Sequence, residues 1–172
     1  TIGNGTTTIS GGTFVCAGAE NASSDHVLYV YGNGSLTVND GTFTNKNIDD
    51  GSNGVAVCVE GADAKVEIND GVFTGCEAVI YGNDNTVVNG GSYKLQLADI
   101  HDVKNTLAQY VAEGATVTVD GEKMTKTGSG LEAAPDYVAT VNGVEYADIQ
   151  DAVDAAYGLT GDVTITLLSD VG

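Results

Sequence analysis

Basic residues are scarce in this chain, and arginine is absent. The 172 residues contain six lysines against 24 acidic residues, which gives a formal net charge of −18. Binding to nucleic acid or to anionic lipid needs clustered cations, so we expect neither as a partner. No apolar run approaches the roughly 20 residues that span a bilayer, and no membrane insertion is predicted.

Proline and tryptophan are also nearly missing, with one proline and no tryptophan beside 24 glycines. Glycine without proline is typical of turns between ordered strands rather than of a disordered tract. The length suits one folded domain or slightly more. No signal peptide is visible before Thr1, and the missing initiator methionine indicates a processed or excised fragment.

One six-residue pattern occurs four times, at residues 9–14, 38–43, 68–73 and 88–93. Each copy has a β-branched residue, Ser or Asn, Gly or Asp, an unvarying Gly, a small residue and an aromatic. The copies begin 29, 30 and 20 residues apart. Periods of this size indicate a solenoid, in which each repeat buries its apolar face by stacking on its neighbours.

A Gly/Asn turn precedes the pattern in each repeat, at residues 31–34, 60–63 and 81–84. One coil is therefore predicted to contain three short strands separated by two turns and followed by a variable loop. The longer loops, residues 17–25 and 45–53, fall on one side of the solenoid, which is where solenoids usually bind.

Alternation along the strands predicts which side chains point into the core. In the first strand of the coils the inward residues are Leu28, Val30, Val57, Val59, Ala78 and Ile80. The outward residues there are Tyr29, Tyr31, Cys58, Glu60, Val79 and Tyr81. The second strand is expected to bury Leu36, Val38, Val66, Ile68 and Val88.

Two further columns follow from aligning the repeats. One is a core stack of the aromatic residues Phe14, Phe43, Phe73 and Tyr93. The other is a ladder of turn residues in which side-chain amides pair from coil to coil and satisfy buried turn groups, formed by Ser10, Asn39, Asn69 and Asn89.

These features together resemble the right-handed parallel β-helix of the pectin-lyase-like family, in which three-strand coils, aromatic stacks and an asparagine ladder recur. The "GGTF" repeats resemble those of large secreted bacterial cell-surface proteins of adhesin type. The resemblance implies an all-β solenoid and an extracellular location, whereas the functions of the family are diverse.

The remainder of the chain reads as two caps. Residues 1–100 are assigned to the coils, and residues 101–127 to a lid made of a helix at 103–113 and a hairpin. Residues 128–136 are predicted to be a linker. Residues 137–172 form a hairpin, a helix and a strand, and they resemble the amino-terminal cap of such a β-helix.

An amino-terminal cap at the carboxyl end has one simple interpretation. If residues 165–172 are written directly before residues 1–14, the joined sequence reads as the unbroken start of a β-helix. We therefore expect the module to stack head to tail with neighbouring copies or repeats of itself.

The three cysteines lack metal-ligand spacing and are expected to be small apolar residues in or near the core. Cys16 and Cys76 lie two coils apart, roughly 10 Å, which is too far for a disulfide. A bond between Cys58 and Cys76 stays open.

No catalytic site, cofactor or metal site is predicted. Lyases of the resembled family commonly use a calcium cluster with a basic residue, but the chain has no arginine, and neither Lys65 nor Lys94 has an acidic trio nearby. The outward Glu60 and Glu67 have no matched partners for hydrolysis. His26 and His101 are isolated, and residues 45–51 do not match a calcium loop.

The interpretation is a noncatalytic structural or adhesive module of an extracellular protein or filament. Exposed tyrosines offer the best binding residues, and these are Tyr29, Tyr31 and Tyr81. The alternative is a module that binds or degrades polysaccharide, and a host or cell-wall glycan or protein is the corresponding partner.

Overall fold

The computed structural model describes residues 1–17, 25–46, 54–76, 78–96 and 102–168. They belong to two compact units, Thr1–Ala133 and Ala134–Gly172, called unit 1 and unit 2 below. Most of the two predicted binding loops, together with His101 and residues 169–172, lies outside the described residues.

Unit 1 is a parallel β-solenoid of about 3 turns, as the repeats predicted. The first two coils are continuous through their turns, and the next two are each divided into three short strands. The strands are β1 (Ile2–Cys16), β2 (His26–Asn45), β3 (Val55–Glu60), β4 (Lys65–Ile68), β5 (Val72–Gly75), β6 (Ile80–Tyr81), β7 (Thr86–Val88) and β8 (Ser92–Leu95). β1 pairs with β2, which pairs with β3, β4 and β5, and these pair in turn with β6, β7 and β8.

The core side chains follow the predicted alternation in most positions. All five apolar residues expected inside the second strand are buried, at 2 % exposure or less. The first strand differs, because Cys58 and Val79 are buried although alternation placed them outside, and Ala78 is only half-buried. Both faces of β3 are covered from Val55 to Val59, so period-two alternation carries no information there.

The register between the third and fourth coils also differs from the prediction. Aligning the Gly/Asn turns placed Tyr81 beside Glu60, but Tyr81 pairs with Cys58 and Ile80 pairs with Val57. Both turns have four residues, 61–64 and 82–85, but Cys58 lies eight positions before Val66, whereas their partners Tyr81 and Thr86 are only five positions apart. The fourth coil therefore reaches its turn two positions early.

An aromatic column runs through the core of unit 1. The rings of Phe14, Phe43, Phe73 and Tyr93 stack in that order with centroids 5.0, 4.8 and 5.2 Å apart and nearly parallel planes. Gly41 lies under one of these rings at φ 139°, and a Cβ there would approach Phe43 Cζ to 2.9 Å. The unvarying glycine of the repeat is thus required by both the turn and the stack.

An asparagine ladder lies at the turn after the second strand. Asn69 Nδ2 donates to Asn39 Oδ1 at 3.0 Å, and Asn89 Nδ2 donates to Asn69 Oδ1 at 2.8 Å. These side chains are exposed, so the ladder does not satisfy buried groups as expected. Ser10 pairs with Asp40 after an irregularity in β1, which removes it from the column.

A lid of one helix and three strands covers the last coil. Its elements are α1 (Val103–Ala108), β9 (Thr116–Val119), β10 (Glu122–Thr127) and β11 (Gly130–Ala133). β9 pairs parallel with β8, and β10 and β11 continue the sheet as antiparallel strands. Residues 130–133, predicted as part of the linker, therefore belong to this sheet.

The helix of the lid is shorter than the predicted span of 103–113. After Ala108 the chain turns towards the last coil, where Val111 forms a bridge with Val88. Val88 N donates to Tyr110 O at 2.9 Å and Ala112 N donates to Val88 O at 2.9 Å. Pairing with the coil satisfies backbone groups that a longer helix would have used internally.

Unit 2 has the predicted order of hairpin, helix and strand. Its elements are β12 (Ala139–Val141), β13 (Val144–Tyr146), α2 (Ile149–Tyr157) and β14 (Ile165–Leu167). Both β13 and β14 pair antiparallel with the central β12. Asp148 caps α2 by accepting from the Gln150 and Asp151 amides. The small core is centred on Ala139, Val141 and Ala152.

All three cysteines are thiols, which answers the open question about Cys58 and Cys76. Cys58 and Cys76 are buried, and Cys16 is half-buried. Burial, with a smaller contribution from Glu60, raises the pKa of Cys58 to about 11, so this thiol stays protonated at neutral pH.

Candidate functional site

A surface cleft of about 420 Å³ lies at the amino-terminal end of β2. It brings together residues from the first three coils of unit 1. The residues that line it are Thr1, Cys16, Asp25, His26, Tyr29 and Glu60.

Three rings form a row beside this cleft. The ring of Tyr29 stacks on His26 at 5.6 Å and on Tyr31 at 5.4 Å between centroids. Tyr29 and Tyr31 share one face of β2 because they are two residues apart on a strand. Tyr31 also lies across Gly3 of β1, where a Cβ would approach its Cζ to 2.4 Å. The row is therefore held by packing on the neighbouring coil.

Glu60 is fixed at the cleft by the same row. The Tyr29 hydroxyl donates to Glu60 Oε2 at 2.5 Å, across the register in which Tyr31 pairs with Glu60. This hydrogen bond is the main cause that raises the pKa of Tyr29 to about 12. Tyr29 is therefore a neutral phenol at physiological pH, and it acts as a donor to the carboxylate.

His26 is the second titratable group of the row. Burial lowers its pKa below the usual value, and the negative charge of Glu60 opposes this shift. Its Nδ1 atom is buried and makes no hydrogen bond. The imidazole is thus uncharged at neutral pH and is not poised as a cationic ligand.

The structure places Tyr81 in the same column as Tyr29, not in the column of Tyr31. Tyr29 and Tyr31 stack beside the cleft, and Tyr31 is 43 % exposed. Tyr81 is 62 % exposed and pairs with Cys58, which is itself opposite Tyr29. The prediction that Tyr31 and Tyr81 occupy equivalent positions is therefore wrong, because of the register shift in the fourth coil.

A second, shallower groove of about 260 Å³ follows the outer face of the second strands. Glu67 in this groove accepts a hydrogen bond from Asn89 Nδ2 at 3.3 Å, and Lys65 lies two residues before it. The lining residues are Ser35, Leu36, Thr37, Lys65, Val66, Glu67, Asn85 and Val87.

Sequence reasoning missed the first cleft. Asp25 and Glu60 line it together, whereas the sequence presented Glu60 as an acidic residue without a partner. One signal in the sequence could have revealed the cleft. His26, Tyr29 and Tyr31 are close together on one strand, and the strand aligned with it in the next coil carries Glu60.

The residues of the cleft do not form a metal centre. Within the described ranges, no group of three or more His, Cys, Asp and Glu side chains could hold a metal ion. No helix in the same part of the chain is long and apolar enough to cross a membrane.

No protein-family model, curated protein or solved structure matches this chain. The resemblance to pectin-lyase-like surface proteins therefore stays a prediction from the sequence, and the argument for function depends on the geometry.

Proposed function

We propose that this chain is a noncatalytic structural module of an extracellular surface protein or filament, and that it joins neighbouring units end to end. The observation that supports this proposal is a pair of apolar surfaces that stay partly exposed among the described residues. One is the outer side of the first coil in unit 1, and the other lies on unit 2.

The first coil buries its core residues on one side only. Ile9 and Phe14 are half-buried, whereas Val38 and Phe43, their counterparts in the second coil, are 0 % exposed. Phe14 stacks on Phe43 and ends the aromatic column. Apolar area left at a solenoid end favours association, at roughly 25 cal/mol for each Å² that a partner covers.

The opposite end of the solenoid is closed. The lid buries Val103 and Leu107 of α1 and Val117 and Val119 of β9 against the core. The uncovered first coil therefore cannot stack on a bare last coil, and its partner has to be a different element.

Unit 2 is the candidate for that element because it exposes much of its apolar surface. Val144 is 57 % exposed, Leu167 54 %, Tyr157 86 % and Leu159 46 %. Folds of fewer than about 40 residues usually depend on disulfides, metals or association, and unit 2 is of that size. Covering the first coil of another copy would bury both surfaces at once.

Light scattering on the purified chain tests the proposal. We expect reversible association that grows with protein concentration, and we expect Leu167→Asp to weaken it about tenfold or more by placing a charge in the interface. The matched control is Val72→Asp, since Val72 is 48 % exposed but lies on the side of the third coil. A strict monomer over a wide concentration range would contradict end-to-end joining.

A polysaccharide-binding module is the second candidate, and the first cleft favours it. Two acidic residues beside a stacked tyrosine suit the hydroxyl groups and apolar face of a sugar ring. Incubation with acidic and neutral glycans should show binding that Glu60→Gln weakens and Glu67→Gln leaves unchanged. Cleavage of any glycan would count against the noncatalytic proposal, and absence of binding would remove this second candidate.

A further inference from the structure

Among the described residues, β1 pairs with a strand on one side only and leaves an edge of the solenoid open. At the carboxyl end of β1 the pairing with β2 is regular, because residues 13–16 lie opposite residues 42–45 without a shift. The free side of residues 13–16 is called the first-coil edge below.

The backbone groups of the first-coil edge have a defined direction. Cys16 O accepts from Lys46 N at 2.9 Å, so the backbone groups of Cys16 face β2. Because these groups alternate along a strand, those of Phe14 also face β2. Those of Thr13 and Val15 therefore face the open edge.

The strands behind this edge give the same direction independently. Gly75 O accepts from Gln96 N at 2.9 Å, so the backbone groups of Gly75 and, by alternation, of Phe73 face β8. In a parallel pair, a residue that faces its partner lies opposite one that faces away. Phe43, opposite Phe73, therefore faces β5, and Phe14, opposite Phe43, faces β2.

In the part of unit 2 that the structure describes, β14 is an edge strand as well. Leu168 N donates to Val138 O, which directly precedes β12, at 2.9 Å. The backbone groups of Thr166 also face β12 by alternation, and those of Ile165 and Leu167 face the open edge.

The hairpin of unit 2 supports this direction. β12 and β13 are joined by residues 142–143, which have φ values of 51° and 82°, so Val141 and Val144 are the hydrogen-bonded pair that closes a two-residue turn. The backbone groups of Val141 therefore face β13, and those of Thr140 face β14. Thr166 lies opposite Thr140 in an antiparallel pair, so its groups face β12.

These directions restrict how the two edges can pair. In a parallel arrangement, Ile165 faces its partner and has to lie opposite a residue that faces away, which is Phe14 or Cys16. In an antiparallel arrangement, residues that face each other lie opposite, so Ile165 would lie opposite Thr13 or Val15.

The side-chain faces favour the parallel arrangement. Phe14 belongs to the aromatic column in the core of unit 1, whereas Val15, on the other face, is 50 % exposed. Ile165 packs on the core of unit 2, which includes Ala152 of α2. Opposite residues share a face, so parallel pairing puts α2 on the core side of the first coil. Antiparallel pairing would put α2 on the outer face and leave Phe14 uncovered.

The ends of the first-coil edge select one register. Placing Ile165 opposite Phe14 puts Leu167 opposite Cys16, the last residue of β1. A shift by two residues in one direction moves Ile165 to Gly12, where φ is 109° and the regular pairing of β1 is interrupted. The opposite shift moves Leu167 past the end of β1.

The sequence of β14 matches the strands that it would extend in this register. Residues 164–166 read Thr-Ile-Thr, and residues 42–44 read Thr-Phe-Thr. In residues 42–44 the central ring lies in the core column and is 0 % exposed. Ile165 would occupy the same place in the column, next to Phe14.

We propose that β14 of one copy adds parallel to the first-coil edge of a second copy, in the register that places Ile165 opposite Phe14. Three backbone hydrogen bonds result: from Ile165 N to Thr13 O, from Val15 N to Ile165 O and from Leu167 N to Val15 O. Each copy carries one first-coil edge and one β14, so the contact repeats head to tail. The inference rests on the proposed end-to-end function and names its contact.

Hydrogen exchange of the full chain, followed by NMR below and above the association concentration, tests these bonds. The amides of Val15, Ile165 and Leu167 should exchange at least about tenfold more slowly in the associated form, because each gains an acceptor. Those of Phe14 and Thr166 face strands of their own units and should change much less. Association without this alternating protection would overturn the inference and leave the proposed function standing.

Two variants at one position separate the backbone contact from the side chain. Val15→Pro removes an N–H that faces the open edge rather than β2, and it should lower the association constant at least about tenfold. Val15→Ala keeps the N–H and should retain association. The exchange rate of the Phe14 amide reports in both variants whether β1 still pairs with β2. Equal loss of association in both variants would overturn the proposed contact.

Cross-linking tests the register. In a background with Cys16→Ala, Cys58→Ala and Cys76→Ala, one variant carries Val15→Cys and a second carries Thr166→Cys. These two positions lie opposite each other on the outer face, at the spacing of about 5 Å between neighbouring strands, which a disulfide can bridge. On mixing and oxidation, the two variants should form a disulfide-linked dimer.

Two other partners for the Val15→Cys variant serve as controls. Thr164→Cys lies opposite it only if the register slips by two residues, and Leu167→Cys lies opposite it only in an antiparallel pair. A dominant dimer with either control would overturn the proposed register. A strict monomer with all three partners would overturn the proposed function with it.

Discussion

At the scale of single residues, each position of the repeated pattern has a separate physical task. Phe43 and Phe73 extend the aromatic column, and Gly41 supplies the positive φ and the space beneath a ring. Asn39 and Asn69 join neighbouring coils from the outside. None of these residues lines the candidate cleft. The repeated pattern therefore stabilises the solenoid, and the cleft is formed by residues outside the pattern.

The aromatic column makes a prediction about the gradient of stability along unit 1. Phe73 is 0 % exposed with a ring on each side, whereas Phe14 is half-buried with a ring on one side. We expect Phe73→Ala to lower the free energy of unfolding by about 3–5 kcal/mol and Phe14→Ala by roughly half as much. Urea denaturation at low protein concentration measures both. Equal losses would show that the first coil is as well packed as the third.

At the scale of elements, features that recur in every coil could be predicted from the sequence, whereas features that differ between coils could not. The stack and the buried second strands could be predicted because each depends on one position recurring at a fixed place in the coil. The register of β6 could not, because Tyr81 pairs with Cys58, two positions before Glu60, although the turn motif that follows Tyr81 is unaltered. The length of α1 was missed for a related reason: pairing of Val111 with Val88 is a tertiary contact that outweighs helix periodicity.

Less of the candidate cleft than of the fold could be predicted from the sequence. Its tyrosines were predicted as outward residues of a strand, which needs only alternation. Its carboxylates come from two separate segments, and bringing Asp25 beside Glu60 depends on the register and on the position of the preceding loop.

At the scale of the whole molecule, the net charge bears on the proposed association between copies. The chain carries a net charge of −18, and in the described residues an ion pair joins Lys104 and Glu122 at 2.8 Å. The surfaces proposed to meet are apolar, with Asp25 and Glu60 close to one of them. In the proposed association, buried apolar area would attract two copies and their negative charge would repel them, and salt would weaken only the repulsion.

This balance predicts the salt dependence of association. Raising NaCl shortens the Debye length to about 10 Å at 0.1 M and further above that, so repulsion between copies falls while the apolar contact remains. We expect the association constant measured by light scattering to rise about tenfold between low and high salt. The Leu167→Asp variant, which weakens the apolar contact, should stay mostly monomeric throughout. Association that weakens with salt would instead indicate copies held together by ion pairs, and would argue against apolar joining of the first coil to unit 2.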